Sequence, residues 1–308
     1  MRIIFMGTPE FAVPSLKILM DNGYDIAAVV TAMDKYGGRG RKQLLQSPVK
    51  KFALQHGLKV LQPKNLKAPS FLDELKDLNA DLQIVVAFRM LPEAVWNMPP
   101  LGTYNLHGSL LPRYRGAAPI NWAIINGEKT TGVTFFKITH DIDTGDILLQ
   151  KKIDIGEDET AGELHDKMMH IGAEAVLQGV RMIEKGDINL QKQDDAKASR
   201  APKIYPADCH IDWNKNTGEV YNFIRGLSPY PGAWSLLEGK KIKILRAAKE
   251  KTAHSYSPGQ ILTDNKRYCK VTTKDGLIDI KEIKAEGKKQ MDIKSFLNGY
   301  KIKSPVFQ

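Results

Sequence analysis

The 308 residues carry 45 Lys+Arg against 35 Asp+Glu and only two cysteines, Cys209 and Cys269, which excludes a disulfide scaffold and suits a two-domain chain. No apolar run approaches the roughly 18 residues of a membrane-spanning helix, and Arg2-Ile3-Ile4-Phe5-Met6 opens as a buried strand without the layout of a secretory signal. A cytoplasmic protein with reduced thiols and no metal is therefore expected. From Ala207 to Gln308 there are 19 Lys+Arg against 11 Asp+Glu, while the rest has 26 against 24. Positive charge concentrated in that way suits a polyanionic partner, although a generally solvated basic surface would look the same.

Over the first half, short Val/Ile-rich runs alternate with helical patterns. Ile3 to Met6, Ile26 to Thr31, Leu58 to Gln62, Leu82 to Phe88 and Thr103 to His107 are predicted strands. The alternation predicts an α/β, Rossmann-like domain with a mostly parallel sheet, helices on both faces, and a ligand site beyond the carboxyl ends of the strands. Gly7-Thr8-Pro9-Glu10-Phe11 reads as a strand-to-helix turn or an anion site. Proline at position 9 breaks the dinucleotide fingerprint, and no Gly-Lys-Ser/Thr is present, which argues against an oxidoreductase and an NTPase. Gly37-Gly38-Arg39-Gly40-Arg41-Lys42 is either a loop that folds around an anion or an exposed solubilising loop, and Ser47-Pro48 starts the next helix.

Asn105 and His107 are two positions apart near the end of a predicted strand, so alternation points both side chains to one face. The following Ser109-Leu110-Leu111-Pro112-Arg113-Tyr114-Arg115-Gly116 holds a tight backbone, with two arginines able to grip carboxylate or phosphate. Thr131 to Ile138 and Ile147 to Ile155 form a further predicted strand pair, with Asp143 in the turn Asp143-Thr144-Gly145-Asp146 between them. An amide, an imidazole and a carboxylate make a complete set for acyl transfer: a donor for a developing oxyanion, a proton carrier, and a partner for the imidazole. Each residue alone reads as well as a backbone-satisfying group; together they are the predicted catalytic set, preferred over His140 and Asp141.

Thr160-Ala161-Gly162-Glu163 has capping-box spacing before a helix predicted to run to about Ile183 and end at Gly186; His165 and His170 on it read as packing or surface residues. The polar, aperiodic stretch 189–206 reads as a linker between a domain of residues 1–188 and a domain of residues 207–308. In the latter, turns separate predicted strands Ala233 to Leu237, Ile242 to Ala247, Gln260 to Thr263, Tyr268 to Thr273 and Leu277 to Ile283, which suggests a small barrel or sandwich.

These motifs, in this order, resemble the methionyl-tRNA formyltransferases of the folate-dependent formyltransferase family. The similarity runs over nearly the whole chain, from Phe5-Met6-Gly7-Thr8-Pro9-Glu10-Phe11-Ala12 through Asn105-Leu106-His107-Gly108-Ser109-Leu110-Leu111-Pro112 and Asp143-Thr144-Gly145-Asp146 to Ile211-Asp212-Trp213 and Pro229-Tyr230-Pro231-Gly232-Ala233. The resemblance implies a catalytic domain that binds 10-formyltetrahydrofolate as co-substrate, an OB-like C-terminal domain that helps hold tRNA, and methionyl-initiator-tRNA as the acceptor; nothing in the sequence demands more than a monomer. It implies Asn105, His107 and Asp143 as catalytic residues and Arg39, Arg41 and Lys42 as tRNA contacts. Folate contacts are expected from Phe88, Arg89, Met90, Leu91, Ser109, Leu110, Leu111 and Pro112. Ala87-Phe88-Arg89-Met90-Leu91-Pro92 departs from the family's Ala-Tyr-Gly-x-Ile-Leu-Pro, being one residue shorter and lacking the glycine. The same three catalytic residues would also serve a sugar or glycinamide formyltransferase or a 10-formyltetrahydrofolate hydrolase.

Overall fold

The computed structural model describes residues 1–37, 40 and 43–308. The chain divides into two compact units: residues 1–116, 132–153 and 165–200 form one, and residues 117–131, 154–164 and 201–308 the other.

The first unit is built on a seven-stranded sheet of β1 (Arg2–Gly7), β2 (Asp25–Val30), β3 (Val60–Leu61), β4 (Leu82–Val86), β5 (Thr103–His107), β6 (Thr130–Lys137) and β7 (Ile147–Asp154). Their order across the sheet is β7-β6-β5-β4-β1-β2-β3. The pairs β1/β2, β1/β4, β2/β3 and β4/β5 are parallel and β5/β6 is antiparallel. All seven predicted strands are present; the fourth stops at Val86 because Ala87 turns to φ 49° and leaves the extended region. Ile3 to Met6 are at most 1% exposed, as a central parallel strand covered on both faces requires.

Helices α1 (Val13–Asp21), α2 (Pro48–Gln55), α3 (Pro69–Asp77) and α4 (Glu93–Trp96) connect the strands; α5 (Pro119–Ile125), between β5 and β6 in the chain, falls in the second unit, and α6 (Ala161–Lys185) follows β7. Ser47 caps α2, its hydroxyl accepting from the Lys50 amide. One layer of the core joins Ile4, Met6, Val30 and Val85 of the sheet to Phe71 and Leu75 of α3 and Val95 of α4. Thr160 and Glu163 form the predicted capping box of α6, and Gly186, at φ 73°, ends it. Two glycines of α6 let it lie close to the sheet: a Cβ on Gly172 would stand 2.7 Å from Leu106 Cδ2, and one on Gly179 only 2.3 Å from Phe135 Cδ1. The segment between β2 and α2, expected as a loop, forms a short antiparallel hairpin of Lys35–Gly37 with Gln43–Leu45.

The second unit carries β8 (Ala233–Leu237), β9 (Lys240–Glu250), β10 (Ile261–Thr263), β11 (Cys269–Thr272), β12 (Leu277–Ala285) and β13 (Met291–Asp292). They run in the order β8-β9-β12-β11-β10, with β13 paired to β12 and every pair antiparallel. Register shifts around Arg246 bend the long β9, in keeping with the curled, OB-like sheet expected. Val220 and Ile224 of α7 (Thr217–Gly226) and Leu297 of α8 (Ile293–Gly299) complete its core with Ile244, Val271, Ile278 and Ile280.

Candidate active site

Strand order runs outward from β1 in both directions, so the crevice expected of such a sheet opens at the carboxyl ends of β1, β4 and β5. Gly7 is in register with Val86 and Val86 with Leu106, which puts Thr8, Ala87 and His107 along one rim. Gly7 serves packing here: a Cβ on it would come within 2.7 Å of Ala12 Cβ and 3.0 Å of the Val86 carbonyl oxygen.

Strand alternation gives Asn105 and His107 the same face of β5, as predicted, while Tyr104 and Leu106 face the other way. Tyr104 stacks on Phe135 at 5.4 Å, and burial pushes its phenol up, so it stays neutral. Asn105 is half-buried, and its amide makes no hydrogen bond to any other described residue. That leaves both amide hydrogens available to a ligand.

His107 is buried, with 7% of its side chain exposed, and Asp143 is 12% exposed; Nδ1 of the ring stands 3.8 Å from Asp143 Oδ2. That distance makes Asp143 a charge partner of the ring rather than a hydrogen-bonded one. The ring's hydrogen bond is on its other side, where Nε2 lies 2.8 Å from the Tyr114 carbonyl oxygen. A carbonyl can only accept, so this contact fixes a proton on Nε2 and leaves Nδ1 as the ring nitrogen on the side of Asp143. The Gly116 amide donates to Asp143 Oδ2 at 2.9 Å, and Asp143 sits at φ 57°. The expected trio is therefore brought together within one unit.

The residues expected around a folate divide into two groups. Ser109 is fully buried, and its hydroxyl donates to the Arg113 carbonyl at 2.6 Å. Leu111 is 3% exposed and packs with Phe136 and Ile147. Leu110 lies against Gly132, and the Leu111-Pro112 peptide bond is cis. The side chains of Ser109 and Leu111 thus build the loop, and what they offer a ligand is backbone. Leu91 is likewise a core residue, at 8% exposure. Met90 by contrast is 74% exposed, Phe88 is half-buried, and Arg89 lies over the Phe88 ring while donating to the carbonyls of Pro63 and Lys64. Arg39, Arg41 and Lys42, expected at a tRNA interface, lie outside the described residues.

Several residues that hold the site have no signal in the sequence. Thr134, fully buried on β6, uses its whole hydroxyl: it donates to the Ser109 carbonyl at 2.6 Å and accepts from the Leu111 amide at 3.0 Å and Gln150 Nε2 at 2.8 Å. Gln193, in the stretch read as a linker, is 6% exposed and donates to the Asp143 and Gly145 carbonyls at 2.9 and 2.8 Å. Its Oε1 accepts from Arg115 Nε and Nη2, at 3.1 and 2.7 Å. Arg115, expected to be able to bind an anion, is thus engaged with Gln193 and with Asp195 at 2.7 Å. Among the described residues no group of three His, Cys, Asp or Glu is placed to hold a metal ion, and no helix is long and apolar enough to cross a membrane.

Residues 1–180 match the model of the formyl transferase family, and residues 203–301 match that of its C-terminal domain. A methionyl-tRNA formyltransferase of Parabacteroides distasonis is 49% identical over 311 residues, covering 98% of this chain and 96% of its own. Among solved structures, an N-formyltransferase from Helicobacter canadensis, in complex with folinic acid and dTDP-3-aminofucose, aligns with a TM-score of 0.69 at 21% identity, over 90% of this chain and 97% of that one. HypX from Aquifex aeolicus, in complex with tetrahydrofolic acid, aligns with a TM-score of 0.66 at 20% identity over 96% of this chain, which spans only 47% of HypX. Both structures share the fold. Matched along nearly its full length, the chain belongs to the formyl transferase family and, within it, to the methionyl-tRNA formyltransferases.

Proposed function

We propose that this chain transfers the formyl group of 10-formyltetrahydrofolate to the α-amino group of methionyl-initiator-tRNA, with Asn105, His107 and Asp143 at the reacting carbon. The observation that carries the reading is the trio itself: an Asn105 amide with no hydrogen bond to another described residue, on the same strand face as His107, whose Nδ1 lies 3.8 Å from Asp143. The rim suits a pterin with polar edges, since it offers that amide and the largely exposed segment from Ala87 to Met90.

The co-substrate supplies a formyl carbon already bonded to nitrogen and open to attack. An α-amino group has a pKa of roughly 7.7–8.0, so much of it is neutral and nucleophilic at working pH. Asn105 Nδ2 donates to the formyl oxygen as it gains charge, a contact stronger in the transition state than before it. His107, its Nε2–H tied to Tyr114, presents Nδ1; in its protonated form it donates to the same oxygen, and the Asp143 carboxylate balances its charge. Asp143, directly or through one water, accepts the proton that leaves the amine, while the departing folate nitrogen gains one. No covalent enzyme intermediate is needed.

Phe88, Arg89, Met90 and Leu91, with Ser109, Leu110, Leu111 and Pro112, line the folate side, the buried members through their backbone. Residues 1–188 carry the chemistry and residues 207–308 help hold the tRNA, with Arg39, Arg41 and Lys42 on its acceptor end. The chain works in the cytoplasm, and one copy suffices. Incubation with 10-formyltetrahydrofolate and, in turn, methionyl-initiator-tRNA, free methionine, an amino-sugar nucleotide or buffer tests the reading. Formylation of the charged tRNA alone is expected; comparable turnover with any other acceptor overturns it.

A further inference from the structure

Asp143 is held at a positive φ of 57°, a conformation that a non-glycine residue keeps only when its surroundings enforce it. Its own turn does not supply the enforcement. Thr144 Oγ1 donates to the Asp141 carbonyl at 3.0 Å, which closes the turn locally but leaves the carbonyls of Asp143 and Gly145 to be satisfied from elsewhere. Both are taken by the two hydrogens of one amide, Gln193 Nε2, at 2.9 and 2.8 Å. The other end of that amide is gripped by Arg115 through Nε and Nη2.

Arg115 immediately precedes Gly116, whose amide donates to Asp143 Oδ2 at 2.9 Å, and follows Tyr114, whose carbonyl holds His107 Nε2 at 2.8 Å. One buried side chain, remote in sequence from every member of the trio, thus ties the loop carrying the carboxylate to the segment that holds both the carboxylate and the imidazole. On its other side the turn is pressed against β6, where a Cβ on Gly145 would stand 1.7 Å from the Lys137 carbonyl oxygen, so Gln193 holds the side that β6 does not.

We propose that Gln193 is a positioning residue for formyl transfer: it sets the distance between Asp143 and His107 by clamping the Asp143 loop to Arg115. The inference rests on Asp143 and His107 being catalytic. It requires an amide at position 193, because the two groups it meets on one side are acceptors and the groups on the other are donors. Glutamate keeps the shape and strengthens the grip on Arg115, yet it sets a carboxylate oxygen against two carbonyls. Methionine keeps most of the volume and makes neither set of bonds.

The test measures kcat and KM for both substrates in Gln193→Glu, Gln193→Met and, in parallel, Asp143→Asn, with thermal melting of each. A displaced reacting group costs on the order of 10- to 100-fold, so kcat is expected to fall by about that factor in both Gln193 variants while the KM values stay within about twofold. Gln193→Glu gives up both donors to the Asp143 and Gly145 carbonyls and should melt below the parent, so kcat is compared at a temperature well under both transitions. If Gln193 only braces the segment around Arg115, glutamate restores full kcat, and that result overturns the proposal, as does full kcat in Gln193→Met. A full-rate Asp143→Asn would instead overturn the catalytic reading on which the clamp depends. An impaired Asp143→Asn beside full-rate Gln193 variants would sink the clamp alone.

Discussion

Thr134→Val is the substitution whose cost follows most directly from the geometry. The two side chains differ by one hydroxyl in place of a methyl, so little cavity or overpacking results, and the effect is that of three lost hydrogen bonds at 2.6, 2.8 and 3.0 Å. Gln150 Nε2 keeps its 2.9 Å bond to the Leu111 carbonyl. The Leu111 amide and the Ser109 carbonyl, both in fully or nearly fully buried residues, are left without that partner. A stranded buried backbone group costs about 1–3 kcal/mol; two of them, with some relaxation, give a loss of about 3 kcal/mol. At roughly 2–4 °C per kcal/mol for a domain of this size, Tm falls by on the order of 10 °C. Far-UV circular dichroism during thermal and urea unfolding measures it, with Thr134→Ser as the control that keeps the hydroxyl. A loss below about 1 kcal/mol, or a serine variant as unstable as the valine one, would refute the assignment of this hydroxyl as the tie beneath the Ser109 to Pro112 loop.

Asn105→Ala should lower kcat by about 10²- to 10³-fold, the usual cost of one oxyanion donor, with Tm unchanged because its amide makes no bond to another described residue; near-parental turnover would remove Asn105 from the mechanism. The thiols should be silent in the native protein: burial pushes Cys269 up to about 12 and raises Cys209 too, so a thiol-specific chromogenic reagent should react with neither at pH 8 and with both after unfolding. The Thr160 amide and then Arg246 hold the Glu163 carboxyl down at about 2, from an ordinary 4.5. A depressed carboxyl stabilises the fold above pH 4.5, and that contribution is lost as pH falls toward 2. Since 47% of this side chain is exposed, solvent screening limits the effect to roughly 1 kcal/mol or less: Glu163→Gln should be slightly less stable than the parent at pH 7 and equal to it near pH 2 in urea titrations. Replacing Arg39, Arg41 and Lys42 together should raise KM for tRNA and flatten its salt dependence; steady-state kinetics at two salt concentrations would show whether it does.

The strands, the α6 capping box and the shared face of Asn105 and His107 were legible because each depends on local pattern: short Val/Ile-rich runs, a cap spacing, alternation along one strand. What escaped was long-range. Gln193 lies 50 residues from Asp143 and 78 from Arg115, in a stretch whose polarity reads as linker. A buried amide satisfied on both sides looks in sequence like any exposed glutamine. Arg115 does hold a carboxylate, but an internal one, Asp195, together with Gln193, and neither partner is visible beside it in the sequence. The Tyr114 carbonyl that holds His107 left no trace at all, because a backbone acceptor is carried by every residue type.

Gly172 and Gly179 are seven residues apart and so nearly two full turns of α6, on the side that meets Leu106 and Phe135. Leu106 lies between Asn105 and His107, and Phe135 is its partner across the neighbouring strand. The layer behind the strand therefore sets how far Asn105 and His107 stand out toward the crevice. A methyl at Gly172 would have to push aside the Leu106 side chain directly behind Asn105 and His107, and one at Gly179 the ring of Phe135 on the neighbouring strand. Residues that never meet a substrate can in this way be as unforgiving of change as those that do.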